Sequence, residues 1–279
     1  MPKVVSIKEL RLFQNENASN HSWGLVPTMG SLHEGHLSII KKSVSENLIT
    51  FVTIFVNPTQ FDDKKDLDNY PSSVESDLEK IHAIDPAICV FVPKVSSIYP
   101  DGTASKKYEL KELDKTMEGQ NRPGHFDGVA TVVQRLFELI QPDVAYFGQK
   151  DFQQLQIVSL IGKSMNIQIS SVPTVREANG LAMSSRNNRL SIELRNEAQL
   201  IYQVLKMSKE KFLIHSISEI KILIGNMFDQ SPAFVLEYFE IADESTLKIA
   251  DEKQKNTTYR AFIAVKVGGI RLIDNLSLN

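Results

Sequence analysis

Between residues 23 and 165, short apolar runs rich in β-branched and aromatic residues alternate with stretches of helical spacing. The apolar runs cover 23–27, 49–56, 88–92 and 144–147; the helical stretches cover 37–46, 72–84, 127–139 and 153–165. In 72–84 the residues Val74, Leu78 and Ile81 share one helical face, as do Val129, Val132, Val133, Leu136 and Phe137 in 127–139. Strands that are apolar throughout are buried on both sides. Their alternation with helices predicts an α/β fold, a parallel sheet with helices on both faces. Residues 167–175 add one or two short strands. After Val175 the texture changes to a long amphipathic helix over 192–212, a second over 218–228, and strands at 234–241, 259–267 and 270–275. The expectation is a sheet domain over 1–175 and a smaller α+β C-terminal domain over 176–279.

A chain of 279 residues can bury a sizeable core in one large or two modest domains. Its 31 Lys and Arg against 34 Asp and Glu give a net charge of −3, which argues against a dedicated nucleic-acid binder. One cysteine, Cys89, excludes an intrachain disulfide and any multi-cysteine metal cluster. No apolar run approaches the roughly 18 residues of a membrane span. The opening MPKVVSIKEL lacks the continuous apolar core of a signal peptide. The expected location is therefore the cytoplasm, with no membrane partner, and the sequons at Asn17, Asn20 and Asn256 carry little weight.

The densest chemistry lies in Pro27-Thr-Met-Gly-Ser-Leu-His33-Glu-Gly-His36, between the first strand and the helix after it. A helix N-terminus offers N–H groups and partial positive charge to phosphate. Gly30 and Gly35 allow close backbone approach, and His33 and His36 are spaced to converge on one phosphate chain. Zinc is the weaker reading, because the spacing is not that of His-Glu-x-x-His and no third ligand is evident. A second signal, Phe147-Gly-Gln-Lys150-Asp151, follows the fourth strand, where open α/β sheets bind ligands. Lys150 can offer a point charge, while Asp151 can equally serve as a helix cap. A third, Arg176-Glu-Ala-Asn-Gly-Leu-Ala-Met183-Ser-Ser-Arg186-Asn, sets two hydroxyls and a guanidinium after an Asn-Gly turn. Two decoys fail. Gly162-Lys163-Ser164 lacks the first P-loop glycine, its place being taken by Ile157, and Lys206-Met-Ser-Lys-Glu210 sits inside a helix, where it reads as a solvated face.

The His-x-Gly-His element resembles the nucleotidylyltransferase superfamily. The finer resemblance is to the pantoate–β-alanine ligase family, carried by PTMGSLHEGH (27–36), FVNPTQF (55–61), NRPGHFDGV (121–129), FGQKDFQQL (147–155) and VREANGLAMSSRN (175–187), in order over essentially the whole chain. Gln149 stands where that family often has Glu. The resemblance implies a homodimer with a Rossmann-like N-terminal domain and a small C-terminal domain closing over ATP. It implies condensation of (R)-pantoate with β-alanine through a pantoyl adenylate, with Mg2+ accompanying ATP. The implied ATP site comprises Pro27, Thr28, Met29, Gly30, Ser31, Leu32, His33, Glu34, Gly35 and His36, then Gly148, Gln149, Lys150 and Asp151, and Val175, Met183, Ser184, Ser185 and Arg186. Among these His36 is the nominal proton donor, with His33, Lys150 and Arg186 as further catalytic groups. Gln60 and Gln154 match the pantoate-binding glutamines, with Asn57 beside them, and 57–70 would form a lid that excludes water from the adenylate. Competing readings are another enzyme of the superfamily that joins a nucleotide to a phosphate, and a non-catalytic nucleotide-binding module. The paired glutamines favour a small carboxylate, and the intact charged groups favour an enzyme.

Overall fold

The computed structural model describes residues 3–16, 22–61, 67 and 73–279. Most of the segment expected as a lid, 62–66 and 68–70, lies outside the described residues, as do Asn17 and Asn20. The described residues group into two compact units. The first draws on Met1–Leu110, Arg122–Gln149 and Gln154–Pro173, and the second on Lys111–Asn121, Lys150–Gln153 and Thr174–Asn279.

The first unit holds a wholly parallel six-stranded sheet. Its strands are β1 (Lys3–Val5), β2 (Trp23–Thr28), β3 (Ile49–Ile54), β4 (Cys89–Phe91), β5 (Val144–Gly148) and β6 (Gln168–Val172), in the order β1-β4-β3-β2-β5-β6. The helices between them are α1 (Ile7–Glu16), α2 (Glu34–Glu46), α3 (Val74–His82), α4 (Val95–Ile98), α5 (Met117–Asn121, grouped with the second unit), α6 (His125–Ile140) and α7 (Phe152–Ser164). Alternation along the strands feeds both faces. Val26, Val52 and Val90 cluster with Leu37 and Ile40 of α2 and Ile81 of α3. Leu25, Phe51 and Phe91 are equally buried on the opposite face, where Phe13 of α1 meets the Phe51 ring edge-on. On that side Gln14 of α1 donates to the carbonyls of Leu139 and Ile140, closing the C-terminal end of α6. Strand β1 and helix α1 were not foreseen.

The second unit is an antiparallel sheet of β7 (Phe234–Asp243), β8 (Tyr259–Val267) and β9 (Ile270–Ser277), covered by α9 (Leu200–Phe212) and α10 (Ile217–Asp229). Ile201, Val204 and Leu205 of α9 and Ile220 and Ile224 of α10 pack against Ile241, Ile263 and Val265. The helix expected over 192–212 is two helices, with α8 (Ile192–Glu197) separate from α9. The Asn179 amide donates to the Arg195 carbonyl (3.1 Å), so Gln199 N–H turns to Asn196 instead and the ladder breaks. Lys206 to Glu210 lie in α9 as expected, but Ser208 is fully buried and donates to the Val204 carbonyl, so that stretch is not wholly a solvated face. In the second unit α5 is fastened by Glu118, which takes two bonds from Arg271 (2.7 and 2.8 Å) and one from the Tyr238 hydroxyl (2.8 Å). Burial in that cluster pushes the Tyr238 phenol well above its ordinary value. Among the described residues no helix is long and apolar enough to cross a membrane.

The turn 57–60 lies flush on α6 at Gly128, where an added Cβ would sit 2.5 Å from the Thr59 carbonyl oxygen. Alanine is a better helix former than glycine by about 1 kcal/mol, yet overpacking against backbone typically costs about 1–3 kcal/mol. Gly128→Ala is therefore expected to destabilise the protein, read as a lower denaturation midpoint. An unchanged or raised midpoint would mean that the turn does not rest on the helix.

Candidate active site

Strand β2 is central, and the strand order reverses beside it: β3 and β4 lie on one side, β5 and β6 on the other. The β2–β5 register, Gly24 with Val144 and Leu25 with Ala145, runs the two strands in parallel toward their carboxyl ends at Thr28 and Gly148. The two strongest sequence signals thus leave the sheet at neighbouring strand ends, at the topological switch point.

The loop from Thr28 to α2 is held rigidly. Thr28 Oγ1 donates to the Thr53 carbonyl (2.7 Å) and accepts from Gly30 N–H (3.2 Å). Asp77 of α3, 1 % exposed, accepts from Ser31 N–H (2.8 Å) and Leu32 N–H (2.7 Å), one with each carboxylate oxygen. Gly30 and Ser31 both have positive φ, +83° and +54°, and a Cβ on Gly30 would come within 3.0 Å of Asp77 Oδ2. Lys80 then takes the Leu32 carbonyl (2.7 Å), while the Leu32 side chain joins the apolar cluster. Asp77 was missed from sequence. It sat in an amphipathic stretch, and nothing in a linear pattern shows that its carboxylate turns toward a loop 45 residues upstream.

His33 is the N-cap of α2. Its Nδ1 accepts from Gly35 N–H (3.1 Å), and His36 Nδ1 accepts from His33 N–H (3.3 Å), a reciprocal capping box built from two imidazoles. The rings stack with centroids 4.0 Å apart. With Nδ1 accepting, each neutral ring carries its hydrogen on Nε2. The sequence suggested that the helix N–H groups themselves would meet phosphate. In the structure Gly35 N–H is taken by His33 Nδ1. Pro27 and Met29 are partly buried, and Glu34 is an exposed partner of Lys41.

Asn57, 1 % exposed, spends its amide inside the protein. Oδ1 accepts from the Tyr99 hydroxyl (2.5 Å), Thr59 Oγ1 (3.1 Å) and Thr59 N–H (3.4 Å), and Nδ2 donates to the Gly128 carbonyl (3.2 Å). It shapes the turn that carries Gln60. The Gln60 carbonyl accepts from Arg122 Nη2 (2.8 Å) and His125 Nδ1 (3.2 Å), with Arg122 Nη1 on His125 Nε2 (3.1 Å). Arg122 and His125 belong to the NRPGHFDGV motif, which the sequence reading quoted without giving either a role. Gly148 ends β5, and Gln149 donates to the Ser171 hydroxyl (3.1 Å). Gln154 is partly buried near the start of α7.

The second unit places Lys150, Asp151 and the 175–187 segment. Lys150 Nζ lies 3.5 Å from Asp151 Oδ1, and the Lys150 carbonyl accepts from Asn275 Nδ2 (2.7 Å). Val175 and Met183 close a tight hairpin, with Met183 N–H on the Val175 carbonyl (3.0 Å). Its turn needs Gly180, at φ +95°, where a Cβ would strike the Tyr202 ring at 2.6 Å. Arg176 anchors the hairpin through paired bonds to the buried Asp274 (2.6 and 3.1 Å) and lies 3.8 Å over Tyr202. Burial raises the Asp274 carboxyl above its ordinary value, against the opposing pull of Arg176. Ser184 Oγ caps the following 3-10 turn by accepting from Arg186 N–H (3.3 Å), and Ser185 is buried at 8 % exposure. Among the described residues no group of three or more His, Cys, Asp or Glu side chains could hold a metal ion.

The family described as pantoate-beta-alanine ligase matches residues 3–277. A pantothenate synthetase of Flavobacterium psychrophilum is 51 % identical over 257 residues, 91 % of each chain. The crystal structure of pantothenate synthetase from Thermus thermophilus superposes with a TM-score of 0.89 at 37 % identity, covering 100 % of this chain and 99 % of that one. The pantoate-beta-alanine ligase from Francisella tularensis, described as complexed with beta-gamma ATP and beta-alanine, gives a TM-score of 0.82 at 34 % identity, covering 100 % and 98 %.

Asp77→Ala leaves two buried-loop N–H groups without their carboxylate, and a hydrogen bond to a charged group is worth about 1.5–3 kcal/mol. Denaturation of the variant is expected to show a loss in that range, with Asp77→Asn losing less because it keeps one acceptor. Equal stability of Asp77→Ala and the parent would show that the loop stands without Asp77.

Proposed function

We infer that the chain, which belongs to the pantoate–β-alanine ligase family, joins (R)-pantoate to β-alanine at the expense of ATP. The observation that carries this is the family match across residues 3–277, on a chain whose His33–His36 box opens a helix at the sheet's switch point. The pantoate carboxylate attacks the α-phosphorus of ATP, the bond to pyrophosphate breaks, and pantoyl adenylate forms. The β-alanine amine then attacks the acyl carbon, expelling AMP and losing a proton. Magnesium enters as MgATP, bound to the nucleotide's own phosphates.

Both half-reactions gather negative charge on phosphate oxygens, and preoriented donors stabilise that charge best. In the first unit His33 and His36 supply this through Nε2–H, and His36 is the nominal proton donor. Their Nδ1 atoms are already tied to backbone N–H groups, so the donors are aimed before substrate arrives. Gln60 and Gln154 are assigned to pantoate, whose hydroxyls and carboxylate a neutral amide can bond without burying a second charge. Asn57 shapes the Gln60 turn. In the second unit Lys150 is assigned as a point charge and Arg186 as a fork for phosphate oxygens. The Ser184 hydroxyl accepts the capping bond from Arg186 N–H, and its own O–H can still donate to a phosphate oxygen. The substrates fit a cytoplasmic enzyme. Homodimerisation rests on the resemblance, and sedimentation at the single-chain mass of 31.4 kDa would refute it.

The direct test is pyrophosphate release from MgATP with pantoate alone, then AMP and pantothenate formation on adding β-alanine. Pyrophosphate without any response to β-alanine would keep the adenylation and reject the amine. Lys150→Ala is expected to lower pantoate-dependent pyrophosphate release about 10²–10³-fold in a folded protein, the usual loss for one transition-state donor. Near-normal release would remove Lys150 from the chemistry. Gln60→Ala is expected to raise the KM for pantoate more than that for ATP. An equal rise in both would take Gln60 out of the pantoate site.

A further inference from the structure

We propose that Asn275 of β9 is a positioning residue for Lys150, with its amide oriented by Arg260; this rests on the reading of Lys150 as a phosphate-facing charge. Lys150 stands on a three-residue 3-10 turn, Gln149–Asp151, directly after β5. So short a turn has poor hydrogen-bond geometry and little of its own ladder to fix it. Within the second unit its backbone is held by Asn275 Nδ2, which donates to the Lys150 carbonyl at 2.7 Å.

That bond has a defined direction. Arg260 Nη1 donates to Asn275 Oδ1 at 2.6 Å, and a guanidinium can only donate. The amide oxygen therefore faces Arg260, and the NH2 must face Lys150. Arg260 is itself fixed on two further sides. Its Nη2 donates to Glu244 (2.8 Å), and its guanidinium lies 4.0 Å over the ring of Phe152, two residues beyond Lys150. Arg260 and Asn275 are 7 % and 4 % exposed. Burying them costs free energy that an apolar pair would not incur. Arg260 Nε is buried without a partner, and the bonds the pair does make run from Arg260 through Asn275 to the backbone of the residue assigned to phosphate. Transition-state charge stabilisation is sensitive to position, and a 1 Å displacement can cost about 10²-fold in rate.

The experiment measures kcat and KM for pantoate-dependent pyrophosphate release in Asn275→Ala, Asn275→Asp, Lys150→Ala and Asn275→Ala/Lys150→Ala, with thermal midpoints alongside. Asn275→Asp keeps the partner for Arg260, and so protects the fold, but turns an acceptor toward the Lys150 carbonyl. The expected result is a fall in kcat of up to about 10²-fold in both single Asn275 variants with KM for ATP little changed. In the Lys150→Ala background the Asn275→Ala change should then add less than about twofold, since the two residues act as one unit. A folded Asn275→Asp with parental kcat would overturn the proposal. So would equal fold-losses from Asn275→Ala in both backgrounds, which a merely structural role predicts. Full activity in Lys150→Ala would instead overturn the reading of Lys150, and this proposal with it.

Discussion

The pairing of β2 between β3 and β5 is the constraint on which the first unit depends. The chain runs outward from β2 to β3 and β4, and later returns to the other side of β2 with β5 and β6. At such a reversal open α/β sheets bind ligands, beyond the carboxyl ends of the two strands. Both strands are buried on two faces, so a slip in register would bury the wrong side chains along their whole length. The core therefore fixes where β2 and β5 end, at Thr28 and Gly148, and with them where the two following loops begin.

Within those loops the polar groups divide by what they are bonded to. Asp77 is committed to backbone N–H groups of the loop after β2, Asn57 to Thr59 N–H and the Gly128 carbonyl of α6, and Arg122 to the Gln60 carbonyl of the turn after β3. Each would cost free energy if buried without a partner, and each instead converts a flexible connection into a fixed one. The His33–His36 box does both jobs. One nitrogen of each ring is used to start the helix, which sets the direction of the second. A Ser or Asp at position 33 could cap as well but could not project a second donor.

The parallel sheet, the strands β2, β3, β4 and β5 and the covering helices were legible because burial on two faces leaves unbroken apolar runs between amphipathic ones. The loops after β2 and β5 stood out because glycines, histidines and the Lys-Asp pair fall at strand ends. What escaped was held by single long-range bonds. The break between α8 and α9 follows from Asn179 reaching the Arg195 carbonyl, and the helical pattern runs straight through it. Asp77, Arg122, His125 and Asn275 were invisible for the same reason. Each acts on the backbone of a residue far away in the chain, and a backbone acceptor has no letter in the sequence.

The strand β9 shows what such bonds contribute. Asp274 and Asn275 are adjacent, both are nearly fully buried, and they hold Arg176 and the Lys150 carbonyl. A buried ion pair such as Arg176–Asp274 is weak evidence for stability, because desolvation offsets most of the attraction and a well-packed apolar pair would serve as well. An apolar pair, though, has no direction. The planar guanidinium bonded to both Asp274 oxygens and seated over Tyr202 allows one placement of Arg176, and the hairpin from Val175 to Met183 follows from it. In a strand that could have been wholly apolar, the polar residues specify geometry rather than add stability. They specify it for the two segments of this unit that carry the assigned phosphate ligands.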